Sequence, residues 1–347
     1  MSAEIEGRKR EHIDTVLNED VDAKGVSTGF ERFYFEHVAL PEIELDEVDT
    51  SCRLFGRDLS APLLISSMTG GTDIARDINF RLAEAASSIG IAMGVGSQRV
   101  AIEHSVFAHT FRVRSVAPDI LLFANLGAVQ LNYGYTVDQA RQAVEMIEAD
   151  ALFLHLNPLQ EAVQSGGDRN WKGLIDKIGA VVDGLSVPVV VKEVGNGISV
   201  SVARRLADVG VAAIDVAGAG GTSWSEVEAY RQSDPLHRRV AHSFAGWGIP
   251  TAQALIDLRS ELPDTSVYAS GGIRSGIDAA KALRLGASLV GMAAPALGSA
   301  VETAKSVENR MSAATEELRI AMFCTGSKNL DTLKFAPLRR TEDGRRI

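Results

Sequence analysis

The chain has 347 residues, 46% of them hydrophobic and 23% charged, which supplies a large buried core and excludes a disordered or low-complexity polymer. With 35 Lys+Arg against 45 Asp+Glu, the formal net charge of −10 repels polyanions and anionic bilayers, so neither nucleic acid nor a membrane is an expected partner. A small phosphorylated ligand stays open, because local cations and helix N-termini outweigh a diffuse field at short range.

Residues 1–60 are charge-rich, with a run of acids from Glu42 to Asp49, and are expected to form an arm and surface layer. The first eleven residues are charged rather than apolar, so no export signal is expected. The two cysteines, Cys52 and Cys324, stand far apart and outside any metal or disulfide spacing, which fits a reducing cytoplasm. From Ala61 onward, short apolar runs bounded by Gly, Pro, Ser or Asn alternate with longer amphipathic segments. Buried parallel strands followed by helices have this pattern. Strands are predicted at 63–66, 91–95, 120–124, 151–155, 187–192, 212–216, 267–269 and 289–291, with helices over 74–89, 137–148, 199–209, 251–260 and 276–285. Residues 61–335 therefore read as an α/β (β/α)8 TIM barrel, with a doubly wound open sheet as the competing fold. The connection from Ala217 to Trp247 is long enough to cover a site. One or two closing helices are predicted over 302–325, and 336–347 as a polar tail. The longest uncharged stretches, 120–137 and 285–301, contain Asn125, Gln130 and Asn132 or Gly291 and Pro295, so no membrane span is expected.

In such a barrel the strand C-termini and the loops after them share one face, where ligands bind. In chain order that face would receive Ser67-Met68-Thr69-Gly70-Gly71, Gly96-Ser97-Gln98-Arg99, Asn125-Leu126-Gly127, His155-Leu156-Asn157 and Lys192. The late strands add Gly218 to Thr222, Gly271-Gly272-Ile273-Arg274 and Ala293-Ala294. Glycines in one loop usually mean a tight turn, but three such loops around one corner predict a phosphate site built from backbone amides. Lys192 emerges from the apolar run 187–191, where an unpaired ammonium is costly. A phosphate corner beside that lysine points to flavin mononucleotide (FMN), whose reduced, anionic ring would offset the cost. The structural alternative pairs Lys192 with Glu193 or another carboxylate. Thr69 and Asn125 are candidates for the polar edge of the ring, or simply turn residues. His155 and Asn157 share one side of a strand, and Pro158 turns the chain so that Gln160 and Glu161 approach the same ligand. Glu161 suits Mg²⁺, which commonly takes one carboxylate together with substrate phosphates and water.

The strings Arg8-Lys9-x-Glu11-His12-Ile13, Met68-Thr69-Gly70-Gly71-Thr72, Gly96-Ser97-Gln98-Arg99, Ala124-Asn125-Leu126-Gly127-Ala128, His155-x-Asn157-x-x-Gln160-Glu161 and Gly220-Gly221-Thr222 occur in this order. Together they resemble the type 2 isopentenyl diphosphate delta-isomerases, from about residue 5 to 335. The resemblance implies a reversible 1,3-allylic shift of isopentenyl diphosphate to dimethylallyl diphosphate in isoprenoid biosynthesis. It also implies FMN in its reduced form, generated with NADPH, and Mg²⁺ on the diphosphate. A proton must be added at an unactivated alkene carbon and another removed nearby, so an electron-rich neighbour is needed.

By the same resemblance, Ser67, Met68, Thr69, Ser97, Asn125, Lys192, Thr222, Gly272, Ile273, Arg274, Ala293 and Ala294 contact FMN. Arg8, Lys9, Ser97, Gln98, Arg99, His155, Asn157 and Gln160 line the substrate site, and Glu161 holds the metal. His155, Asn157 and Gln160 form the catalytic set, with Gln160 acting by positioning because an amide is a poor acid or base. A homotetramer or homooctamer is implied, its N-terminal arm reaching a neighbouring site. Two positions depart from the family, Arg10 where an acid is frequent and Ala217 where some members place a hydroxyl. The alternative is an FMN-dependent 2-hydroxy acid oxidase or dehydrogenase, which should carry a histidine after strand seven, where Ala269-Ser270-Gly271-Gly272 stands. An inosine monophosphate dehydrogenase would need a loop cysteine. A non-catalytic flavin or phosphate-binding protein is the rival of another class.

Overall fold

Each predicted apolar run forms a strand, and in chain order they are Leu63–Ile65, Ala92–Gly94, Leu122–Gly127, Ala151–Leu156, Val189–Glu193, Ala213–Asp215, Val267–Ala269 and Leu289–Met292. These strands, one to eight below, are parallel and close into a barrel in this computed structural model. Strand eight pairs directly with strand one, Val290 opposite Leu63, which excludes the open sheet. The structure describes the backbone from Ser2 to Ile347 and side chains from Glu11 onward, so the expectations on Arg8, Lys9 and Arg10 lie outside the described side chains.

Local signals explain the helix boundaries. Thr72 caps the helix Asp73–Ile89 by accepting from Ala75 N, and Gly90 ends it in the left-handed conformation. Thr136 and Gln139 form a capping box at the start of Val137–Ile147. The helix Leu174–Gly184, between strands four and five, is absent from the sequence prediction, because Gly179 and Gly184 weaken its helical signal. The long connection after strand six folds into helices Trp224–Arg231 and Pro235–His242. Two closing helices follow strand eight, Ala294–Glu302 and Ala304–Cys324, the first starting well before residue 302.

The expected polar tail is corrected. Leu338–Arg340 pairs antiparallel with Phe33–Phe35, and Leu338 is fully buried, so the chain end is stitched to the N-terminal layer. The hairpin Cys52–Leu54 and Arg57–Leu59 packs Leu54 and Phe55 against the apolar floor of the barrel, where Phe123 and Phe153 stack at 4.3 Å. One end of the barrel is therefore plugged, and the C-terminal end is left for a ligand. Among the described residues, no helix is long and apolar enough to cross a membrane.

Candidate active site

Side chains alternate along a strand, so every second residue faces the barrel interior. At the floor these are Phe123, Phe153, Val190 and Ala213. Two residues further along each strand, the same faces carry Asn125, His155, Lys192 and Asp215, all at the polar end of the barrel. His155, Lys192 and Asp215 are register partners on strands four, five and six, so they share one level. Above them lies a cavity of about 470 Å³. All of the predicted site residues with described side chains line it except Gln98.

Gln98 is wholly buried, and both ends of its amide are committed. Its Nε2 donates to Ala143 O at 2.9 Å and its Oε1 accepts from Asn125 N at 2.9 Å. The substrate contact expected of Gln98 is therefore withdrawn, and its role is to brace the end of strand three. Asn125 in turn donates from Nδ2 to Val95 O (3.1 Å), which leaves Oδ1 as an acceptor 2.8 Å from His155 Nδ1. His155 thus carries a proton on Nδ1. Gly127 leaves room for the ring, since a Cβ there would come within 3.1 Å of His155 Nε2.

Asn157 is a hub. Its Nδ2 donates to Gln160 Oε1 at 3.1 Å and to Glu161 Oε1 at 3.0 Å, while its buried Oδ1 makes no hydrogen bond. Gln160 Nε2 donates onward to Glu228 Oε1 at 3.1 Å. Glu228 also meets His12 Nε2 at 3.0 Å and Arg231 Nη1 at 2.6 Å. Burial alone would raise the Glu228 carboxyl, but His12, Arg231 and Gln160 together hold it below its ordinary value. Glu161 is raised, because burial outweighs the donors Asp168 N, at 2.6 Å, and Asn157. Asp168 also takes Arg99 Nη1 at 2.7 Å and Gln130 Nε2 at 3.0 Å, and the other side of Arg99 reaches Glu103 at 2.8 Å.

The glycine-rich corner is packed backbone to backbone. A Cβ on Gly221 would lie 2.4 Å from Gly272 N, and one on Gly271 would lie 2.2 Å from Gly218 O. Ala217 holds a left-handed φ of 36°, with its N–H donated to Asp215 Oδ1. Arg274 borders the cavity while its guanidinium pairs with Asp22 of the N-terminal layer. The hydroxyls of Ser66 and Ser67 are buried without partners at the cavity wall, and with Lys192 and the glycine corner they fit a polar phosphorylated cofactor such as FMN. A single carboxylate, Glu161, beside the orphaned Asn157 carbonyl suits Mg²⁺ shared with a phosphate ligand. Among the described residues, no group of three or more His, Cys, Asp or Glu forms a self-sufficient metal cage.

Lys192 donates to the backbone oxygen of Glu193 at 2.6 Å, and its carboxylate neighbour is Asp215 at 3.9 Å rather than the Glu193 side chain. Glu193 is instead clasped by the N–H groups of Val194, Gly195 and Asn196, and burial pushes its carboxyl up to about 7. Between about pH 4.5 and 7 the folded state then binds more protons at Glu193 than the unfolded state does, so stability falls as pH rises. In Glu193→Gln this component of the fall, at most roughly 3 kcal/mol, is expected to vanish in denaturant titrations across that window.

Asp215, Glu228, Asp168, His12 and Arg231 escape a reading by strand ends. Asp215 carried a signal, an acid at the interior parity of the apolar run 212–216. Glu228 and Asp168 carried none, because the site residues they bond, Gln160 and Arg99, lie 68 and 69 residues away.

The profile of the FMN-dependent dehydrogenases matches residues 1–112 and 134–340. An isopentenyl-diphosphate delta-isomerase of Synechocystis sp. is 60% identical over 340 residues, covering 98% of this chain and 97% of that protein. That of Stutzerimonas stutzeri is 58% identical over 332 residues, covering 95% and 96%. Among solved structures, mandelate oxidase with a difluorinated 2-hydroxy acid superposes with a TM-score of 0.65 at 19% identity, covering 98% of each chain, a likeness of fold.

Proposed function

Because the chain belongs to the FMN-dependent dehydrogenase family and to the isopentenyl-diphosphate delta-isomerases, we propose that it moves the double bond of isopentenyl diphosphate to give dimethylallyl diphosphate. FMN would lie across the barrel mouth, with Thr222, Gly272, Ile273, Arg274, Ala293 and Ala294 at its phosphate and Ser67, Met68, Thr69, Ser97, Asn125 and Lys192 around its ring. When bound and reduced by NADPH, FMN supplies an electron-rich ring face and an exchangeable proton beside the alkene.

The end of strand seven carries this reading against a 2-hydroxy acid oxidase. Ser270 stands there with its hydroxyl given to Asp215 at 2.8 Å, so no imidazole is present to take a substrate hydroxyl proton. The imidazole at the mouth comes from strand four, and its Nδ1–H is held by the neutral amide of Asn125.

The side chains then divide the work. Glu161 would hold Mg²⁺, whose charge would offset that of the diphosphate, with Arg99 on the same cavity wall, and the family resemblance adds Arg8 and Lys9 as substrate contacts. Both ends of the Gln160 amide are spent, on Asn157 and on the buried Glu228 carboxylate, so it ties the Asn157 hub to Glu228 and acts by positioning rather than by carrying the proton itself. His155 lines the same cavity with its ring orientation fixed by the Nδ1–H bond to Asn125, and the apolar parts of Met68 and Ile273 keep water from the allylic carbons. A homotetramer or homooctamer in the cytoplasm completes the reading, in keeping with the free thiols of Cys52 and Cys324.

Anaerobic incubation with FMN, NADPH, Mg²⁺ and isopentenyl diphosphate tests it. Many molecules of dimethylallyl diphosphate per NADPH oxidised are expected. Stoichiometric NADPH consumption, or steady oxidation of a 2-hydroxy acid without isomerisation, would overturn the proposal.

A further inference from the structure

Asp215 is wholly buried at the end of strand six, in register with Lys192 on one side and Tyr268 on the other. Its carboxylate accepts the Ser270 hydroxyl at 2.8 and 3.0 Å and the Ala217 N–H at 3.2 Å. Tyr268 contributes nothing here, since its buried hydroxyl makes no hydrogen bond. A buried carboxylate stays ionised only with donors and a counter-charge, and the cation beside this one is Lys192 at 3.9 Å. The dependence is mutual. Lys192 has three N–H donors but spends one on Glu193 O, so it faces the cavity with donors in hand and Asp215 behind it.

We propose that Asp215 is a positioning residue for the cofactor, holding Lys192 at the ring edge and offsetting its charge, and so setting how strongly the site prefers reduced, anionic FMN over the oxidised form. A lone lysine there would bind the anion at the expense of the neutral ring. With Asp215 the pair is neutral overall and the bias is tempered. The same carboxylate anchors Ala217, whose left-handed turn opens the phosphate corner, so one group touches both ends of the cofactor site. The role rests on the reading that the ring edge of FMN meets Lys192.

Asp215→Asn keeps one oxygen to accept from Ser270 and Ala217 and replaces the charged oxygen that faces Lys192 with a neutral NH₂. The FMN midpoint potential of the holoprotein is measured by anaerobic xanthine oxidase titration against a reference dye, beside oxidised-FMN affinity by fluorescence quenching. The preference for reduced over oxidised FMN is expected to rise about tenfold, a positive shift of about 30 mV for the two-electron couple. In a Lys192→Met background the same replacement should change that preference less than twofold, because the cation through which Asp215 acts is then absent. Equal shifts in both backgrounds, or no shift in either, overturn the proposal. Should Asp215→Asn fail to retain FMN, Ser270→Ala decides. Stripping the hydroxyl returns negative charge to the Lys192 side and should move the preference about threefold toward oxidised FMN, and no movement overturns the role. Lys192→Met alone separates the two levels: an unchanged potential there would refute the ring-edge placement of Lys192 itself.

Discussion

Glu161→Gln is expected to lower kcat/KM at limiting Mg²⁺ by roughly 10³-fold, beyond the 10–100-fold that loss of an outer-shell partner costs, with part of the loss restored by raising Mg²⁺. The carboxylate is the one acidic group between the Asn157 amide and the Asp168 N–H, each bonded to a different oxygen. Glutamine keeps the shape but removes the charge. It also sets its own NH₂ against one of those two donors, so the side chain loses a bond as well as the metal. FMN affinity and the visible spectrum should be unchanged, because Glu161 stands on the side of the cavity away from the glycine corner. Initial rates against Mg²⁺ at fixed substrate provide the measurement, and a metal dependence identical to wild type would remove Glu161 from the metal site. The wild type supplies an independent sign. Burial raises the Glu161 carboxyl, so protons should compete with the cation and apparent Mg²⁺ affinity should weaken as pH falls through that raised value.

Gly221→Ala is expected to yield colourless protein, with FMN affinity reduced at least about 100-fold, close to 3 kcal/mol. The added methyl would sit 2.4 Å from Gly272 N and 2.6 Å from Gly272 Cα, and those are backbone atoms that cannot rotate away. Gly272 has no room to retreat either, since it is held at φ 72° against Thr28 and Gly220. Relief must come from separating the loops after strands six and seven, and their amides are the proposed phosphate donors. Gly298→Ala is the matching control. No atom lies within 4 Å of its added methyl, and it sits inside the helix Ala294–Glu302, so full FMN retention is expected. Absorbance of the purified proteins and FMN titration by fluorescence compare the two. Wild-type flavin content in Gly221→Ala would place the phosphate elsewhere.

Much of this molecule is written locally. The apolar runs, their Gly, Pro and Asn boundaries, and caps such as Thr72 and Thr136 are set by residues a few positions apart, so the alternation of strand and helix follows from the chain itself. The types of side chain at the mouth follow too, because a residue at a strand C-terminus reaches the same face in every parallel barrel. Within such a segment the chemistry is less legible. In Gly96-Ser97-Gln98-Arg99 the chain leaves strand two and enters the helix Arg99–Glu103, and spacing does not say which polar residue turns inward to brace strand three. Gln98 does so.

Partnership is the part that no segment contains. Lys192 and Asp215, Gln160 and Glu228, Arg99 and Asp168, and the chain end against Phe33–Phe35 each join residues far apart in the chain. Composition and periodicity specify a barrel with a cationic, amide-rich mouth. Which charges neutralise each other, and therefore which donors are left for a ligand, depends on strand register and on approach distances of a few ångströms. Those distances exist only once all eight strands have closed.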